Sequence, residues 1–468
     1  MNNKIIGGLL ATLVVVAAIC PPNVAEWETL IPLWGPLEHI RSNNRWICSG
    51  LVILLILLAM SRGVGGFTQG GWKLIIPLAG LHGLVFAKNF GAVREQAFYF
   101  LGGAILLMMA TALTAGMMKE RARQATAKPA WWPLVLAAFG FIGINLIQYR
   151  LGPDATMLVS NRFSGVTSNP QMYALSLAII VPALLYQYTS DRRLWSRALV
   201  LAAFLAALYM ALLSGSRLSL LLSGLAVLFY FRAKIMQLAI FLIPAVIAAM
   251  FWLHYHEAIP TDPDSHITSL ENTRSQVWSD QLALITQHPL FGKPLAPGER
   301  MGFGENSYLA AGATLGVPGL LLIGAFAFFL AGLIVRLIRL EQVKGWKPEL
   351  ALPIAVLATC LVGAFFEAFL MGVYTLPLTA LLYTAFTTEL FLTPWSGVRP
   401  PGSKRSKRRP GRRNATDEEQ SRPELPTGTN ASGSIPAEER REGRWQRAGR
   451  RNFHKLQTDK PGATTIRR

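Results

Sequence analysis

With 468 residues, 52% of them hydrophobic, and a mean hydropathy of +0.36, the chain is too apolar for a soluble enzyme and too finely divided by loops for one buried core. Its net charge of +19 is unevenly placed, since residues 400–468 carry 18 Lys and Arg against 8 Asp and Glu, a net +10. The three cysteines, Cys20, Cys48 and Cys360, lie in or beside apolar runs without disulfide or metal-site spacing, so they are expected to be packing residues.

Apolar runs approaching the ~20 residues a bilayer demands predict twelve spans. They lie near 5–20, 47–60, 72–87, 97–118, 131–148, 171–189, 194–213, 217–231, 235–253, 317–338, 350–372 and 374–392. The first begins with one lysine and could be taken for a secretory leader, but no A-x-A site follows and Ile19 before Cys20 suits no lipoprotein cleavage. It is expected to be a retained span. With the N-terminus inside, the inner connections carry Arg62 and Lys73; then Lys119, Arg121, Arg123 and Lys128; then Arg192, Arg193 and Arg197; then Arg232 and Lys234; then Arg336, Arg339, Lys344 and Lys347. Every inner loop is basic, which places both termini in the cytoplasm. The glycine run from Gly63 to Gly71 has no Lys-Ser/Thr pair and reads as a turn, not a nucleotide loop.

Arg150, Arg162, Arg217, Arg274 and Arg300 fall on the opposite, translocated side. Cations kept there against the orientation bias suggest that an anion is held there, such as the phosphate of a lipid carrier. Two outer connections are informative, one over about 149–171 and a longer one over about 254–316. In the first, Asn169 suits a helix N-cap, Pro170 suits the first helical position, and the N–H groups behind them are expected to form an anion site with Arg162 close by. Turn chemistry alone accounts for the segment equally well.

At Ser214-Gly215-Ser216-Arg217-Leu218-Ser219 one span ends and the next begins, with Ser216 the expected cap. Arg217 then stands in the first turn of a helix, where the macrodipole disfavours a cation unless an anion joins it. Headgroup snorkelling is the alternative. The long loop holds a predicted surface helix with Val277, Trp278, Leu282 and Ile285 on its apolar face. Further on, Glu305 precedes a helix start, where a partly desolvated carboxylate could serve as a general base. Glu367 stands alone in an apolar span near its outer end, which marks it either as functional or as reaching water. His254, His256, Glu257, Asp262, Asp264 and His266 are metal-like in composition, but the intervening prolines read as a solvated loop, and no metal site is expected.

Residues 1–399 thus form a transmembrane domain and 400–468 a disordered cytoplasmic tail, too polar to bury a core. The cluster Lys404, Arg405, Lys407, Arg408, Arg409, Arg412 and Arg413 suits anionic lipid, at about 1 kcal/mol per charge. With only Trp445 and Phe453 to stack on bases, no specific nucleic-acid partner is expected.

The order Arg162-x-x-Gly165…Asn169-Pro170, Ser214-Gly215-Ser216-Arg217, Thr273-Arg274…Trp278, His288-Pro289-Leu290-Phe291-Gly292, Asn306-Ser307-Tyr308-Leu309 and Gly316-Val317-Pro318-Gly319-Leu320 resembles the O-antigen ligase and polymerase superfamily, over about 162–322. The resemblance implies an all-α, polytopic, GT-C-like glycosyltransferase of the bacterial inner membrane. Such an enzyme moves glycan from an undecaprenyl-diphosphate carrier to a glycan or lipid-glycan acceptor on the outer face, with no cofactor. It implies diphosphate binding by Arg162, Arg217 and Arg274, with Asn169, Asn306 and Tyr308 in support. The family usually has histidine where this chain has Glu305. A carboxylate can take the acceptor's proton as well, so Glu305 and Arg217 are the expected catalytic pair. A permease for an anionic or lipid-linked solute is the alternative.

Overall fold

Apolar segments fold as helices in hydrocarbon because a helix satisfies its own backbone hydrogen bonds. The computed structural model describes residues 3–19, 33–62, 69–124, 130–152, 163–167, 169–214, 216–234, 274–293 and 305–392, and among these there are helices and no strand. In chain order they are α1 (Asn3–Val16), α2 (Gly35–Ser42), α3 (Asn44–Met60), α4 (Gln69–Asn89), α5 (Arg94–Gln124), α6 (Trp132–Leu151), α7 (Pro170–Ser190), α8 (Leu194–Leu213), α9 (Arg217–Phe231), α10 (Arg274–Gln287), α11 (Ser307–Leu315), α12 (Val317–Lys344), α13 (Pro348–Gly363) and α14 (Leu376–Leu392). Short 3-10 turns lie at Gly165–Thr167 and Arg232–Lys234.

Among the described residues five helices are long and apolar enough to cross a membrane: α5 over Arg94–Met118, α6, α7, α8 and α12. The pair α2 and α3, bent by 71° at Asn43, adds a sixth if it counts as one span. Shorter apolar helices are α1, α13 and α14. The protein is therefore a helical membrane protein. The expected span at 235–253, the glycines Gly63, Gly65 and Gly66, the acidic and histidine-rich stretch at 254–266, and the basic tail lie outside the described residues.

Side-chain bonds fix which helix ends lie together. Near the C-terminal ends of α7 and α9 the Thr189 and Tyr230 hydroxyls are 2.6 Å apart. Ahead of α7, the Phe163 N–H donates to Leu213 O at the end of α8, beside the start of α9. The two helices thus run side by side in one direction. Helix α13 runs the opposite way: Trp346 Nε1, just before it, donates to Tyr230 O (3.1 Å), and its last residue, Gly363, meets Leu175 near the start of α7. A Cβ on Gly363 would lie 2.4 Å from Leu175 Cδ1, so this close approach requires glycine. At the Tyr230 end, Arg336 pairs with Glu389 at 2.9 Å and Arg232 pairs with Glu341, joining α12 to α14 and to the turn after α9. At the other end, the Lys88 ammonium of α4 donates to the carbonyls of Phe291, Lys293 and Thr314.

Helices α7, α13 and α14 form the deepest part of the bundle, with Tyr173, Leu184, Leu357 and Tyr383 among their fully buried side chains. The amphipathic helix α10 covers the end where α7 begins. Its inward stripe is Val277, Trp278, Gln281 and Ile285, with Ile285 against Gly312 of α11. Leu282, expected on that stripe, is 51% exposed: Gln281 occupies the inward position instead, one residue earlier in the helical turn.

Candidate functional site

Two helix starts and a turn converge where α10 lies across the bundle. Asn169 is extended at the head of α7, and its Oδ1 accepts from the N–H groups of Gln171 (2.8 Å) and Met172 (3.4 Å). Proline at the first position offers no donor. The cap is as expected from the sequence, but it corrects the anion site expected behind it: the asparagine side chain takes the donors that a phosphate would need. The turn before it is held by Asn145, whose Oδ1 accepts from Val166 N at 3.0 Å. Gly165 has φ of 56°, and a Cβ there would come within 1.9 Å of that same oxygen.

Helix α11 starts in the same way. Asn306 Oδ1 accepts from Tyr308 N (2.9 Å) and Leu309 N (3.1 Å), while Ser307 N donates to Ala364 O (2.8 Å). The Ser307 hydroxyl donates to Glu367 O (2.7 Å) and accepts from Leu370 N (3.3 Å). The Tyr308 hydroxyl donates to Leu361 O (3.1 Å), and its ring lies 4.5 Å from that of Phe365. These bonds sew the connection between α13 and α14 to the start of α11. Glu367, expected within a span, therefore sits in that connection, and it is only 5% exposed instead of reaching water.

Arg274, the first residue of α10, ties the parts together. Its guanidinium donates to Phe366 O in the connection and to Gln171 Oε1 in the first turn of α7, and it lies over the Phe366 ring at 5.5 Å. Its Nε is 3.7 Å from Glu305 Oε2 and its Nη2 is 3.7 Å from Glu367 Oε1. Neither carboxylate oxygen accepts a hydrogen bond among the described residues. Burial pushes the Glu367 carboxyl up to about 8, against the pull of Arg274 and with a further push from Glu305. At neutral pH Glu367 is thus mostly protonated, while the Glu305 carboxyl faces the same guanidinium.

The structure thus brings Arg274, Glu305, Asn306, Tyr308 and the Asn169-capped turn to one end of the bundle. Arg217 begins α9 at that same end and is exposed; Ser216 holds the cap position without a side-chain capping bond. Arg162 and Arg300 lie outside the described residues. Sequence reasoning gave no part to Gln171, Phe366 or Ser307. It named Glu367 without a partner, because Glu367 and Arg274, 93 positions apart, carry no local mark of their pairing. Among the described residues no group of three or more His, Cys, Asp and Glu could hold a metal ion. No family model and no curated protein matches the chain.

Proposed function

We propose that this protein is a glycosyltransferase of the bacterial inner membrane that transfers an undecaprenyl-diphosphate-linked oligosaccharide to a glycan or lipid-glycan acceptor, as a surface-polysaccharide polymerase or an O-antigen-type ligase. The observation that carries the reading is the paired placement of Glu305 and Arg274 at a helix-start cluster, at the end of the bundle where Arg217 also lies. That end is assigned to the extracytoplasmic face because the opposite connections are the basic ones. In full the architecture is polytopic and GT-C-like, with about twelve spans and both termini inside, and the basic tail rests on anionic lipid.

In the proposed reaction the acceptor hydroxyl oxygen bonds to the anomeric carbon as the bond from that carbon to the diphosphate oxygen breaks. The electron pair leaves with undecaprenyl diphosphate, and the hydroxyl proton passes to the Glu305 carboxylate and then to water. Arginine charge stabilises the departing diphosphate, a task that a planar, permanently charged guanidinium performs well. Of the three arginines, Arg217 and Arg162 carry that role most directly. The guanidinium of Arg274 already donates to Phe366 O and Gln171 Oε1, which suits it to aligning the base.

Deleting the gene and comparing surface-glycan lengths tests the reading. Loss of long chains with single units kept identifies a polymerase, and long chains left on the lipid carrier identify a ligase. An unaltered glycan profile, with loss of uptake or export of a solute, would replace the transferase with a permease.

A further inference from the structure

Glu367 is set apart from the other buried acids of the bundle. Glu341 and Glu389 each pair closely with an arginine, Arg232 and Arg336, at the end of the bundle away from the cluster. Glu367 instead shares its cation: its Oε1 stands 3.7 Å from the Arg274 guanidinium, which also faces Glu305, and that oxygen accepts no hydrogen bond among the described residues. Its side chain is 6% exposed, and its backbone is pinned by the Ser307 hydroxyl in the first turn of the helix that Glu305 precedes. A carboxyl group kept in so dry a place beside a cation it must share is costly for stability alone.

We propose that Glu367 is a positioning residue of the transfer reaction: standing beside Arg274, it holds the guanidinium where it faces Glu305, and so sets the placement of the base at the acceptor. This rests on the function proposed above. Among the described residues, the titratable and charged groups facing Glu367 are Arg274 from α10 and Glu305 from the start of α11; Gln171 from α7 reaches the same guanidinium as a neutral group. With Glu367 neutral, the Arg274 charge is directed at Glu305. Once Glu367 ionises, two carboxylates compete for one guanidinium, and Arg274 is drawn from the base. Because burial raises the Glu367 carboxyl to about 8, that competition begins as the pH rises through about 8.

The full-length protein in lipid nanodiscs, supplied with lipid-linked oligosaccharide extracted from the deletion strain, provides the test. Initial rates are measured against donor concentration between about pH 6 and pH 10. In the wild type, kcat falls as the pH rises through about 8 while the donor KM changes little. Glu367→Gln cannot ionise, so it keeps a measurable rate and loses that alkaline fall. Glu367→Leu removes the carboxyl beside Arg274, lets the guanidinium shift about its bonds to Phe366 O and Gln171 Oε1, and lowers kcat by about 10²-fold, the cost of a misplaced reacting group, again with donor KM little changed. A Glu367→Gln profile that falls as the wild type does, or a Glu367→Leu kcat equal to wild type, overturns the positioning role while leaving the transferase reading intact. If the wild type transfers no glycan at all, the proposed function fails, and this inference with it.

Discussion

Removing the Arg274 side chain should loosen the site end of the bundle. Arg274→Ala abolishes two charge-assisted hydrogen bonds, to Phe366 O and Gln171 Oε1, and strips Glu305 and Glu367 of their shared cation. Bonds of that kind contribute about 1.5–3 kcal/mol each. Leaving a buried carboxylate without its partner ordinarily costs about 3–5 kcal/mol more, but Glu367 avoids most of that by holding its proton at neutral pH. The expected loss is therefore about 3–6 kcal/mol, enough to lower Tm by roughly 3–6 °C in a chain of this size. Arg274→Lys keeps the charge but loses the fork that spans two acceptors on different elements, so it should recover less than half. The pH dependence has a definite sign. A carboxyl whose folded pKa is raised stabilises the fold most at pH below its unfolded pKa, and that contribution is lost as the pH rises through the folded pKa, here about 8. Arg274 is what opposes the rise, so in Arg274→Ala the carboxyl moves higher and the loss extends to higher pH. The gap in Tm between variant and wild type, followed by tryptophan fluorescence in detergent, should therefore widen above pH 8. Equal melting temperatures at pH 7 and no widening by pH 9 would refute the account of Arg274 as the tie between these elements.

Three other substitutions probe separate parts of the site. Glu305→Gln keeps the shape of the side chain and removes the base, so turnover should fall by about 10²-fold or more with donor binding largely kept; a wild-type rate would reduce Glu305 to a structural partner of Arg274. Arg217→Lys keeps its charge without the planar fork, and transfer should drop by about tenfold; wild-type glycan output from both this variant and Arg217→Ala would remove Arg217 from the diphosphate site. Gly316 joins α11 to α12 with φ of 68° and ψ of −150°, and a Cβ there would lie 2.5 Å from Pro289 O. Gly316→Ala should cost about 2–4 kcal/mol in strain and overpacking, read as a lower Tm.

The features legible in the sequence are those encoded within a few residues. Asn169-Pro170 and Asn306 mark helix starts because a short amide side chain can reach back to the next N–H groups. The apolar runs mark helices because hydrocarbon leaves single segments no other fold. What stayed hidden depends on distance in the chain. Nothing near Gln171 announces an arginine 103 residues later, and nothing near Ser307 announces the carbonyl of Glu367. The end of α13 was misplaced for a related reason: Gly363-Ala364-Phe365-Phe366 continues the apolar run, so hydropathy does not see that the helix has stopped. The chain turns there because Ser307, from another part of the sequence, supplies a donor to Ala364 O and both a donor and an acceptor to the residues that follow.

The capped helix starts also bear on where an anion could be held. Had the N–H groups of α7 and α11 been open, backbone dipoles could have shared in binding a diphosphate. Asn169 and Asn306 take those donors for the fold, so at these two helix starts positive charge must come from side chains. Arg274 is held between two carboxylates and two neutral acceptors, which reduces what it can give to a phosphate. That shifts the electrostatic task to Arg217, exposed at the start of α9 and placed where its own helix dipole opposes it. An arriving anion would relieve that opposition, so the penalty at Arg217 becomes binding energy for the donor. Ionic strength should then weaken donor binding through Arg217 while leaving the buried alignment of Arg274 and Glu367 almost untouched, because screening acts on exposed charge far more than on buried charge. A donor KM that rises with salt in the wild type but not in Arg217→Ala, at a kcat that salt leaves unchanged, would separate the two arginines by role.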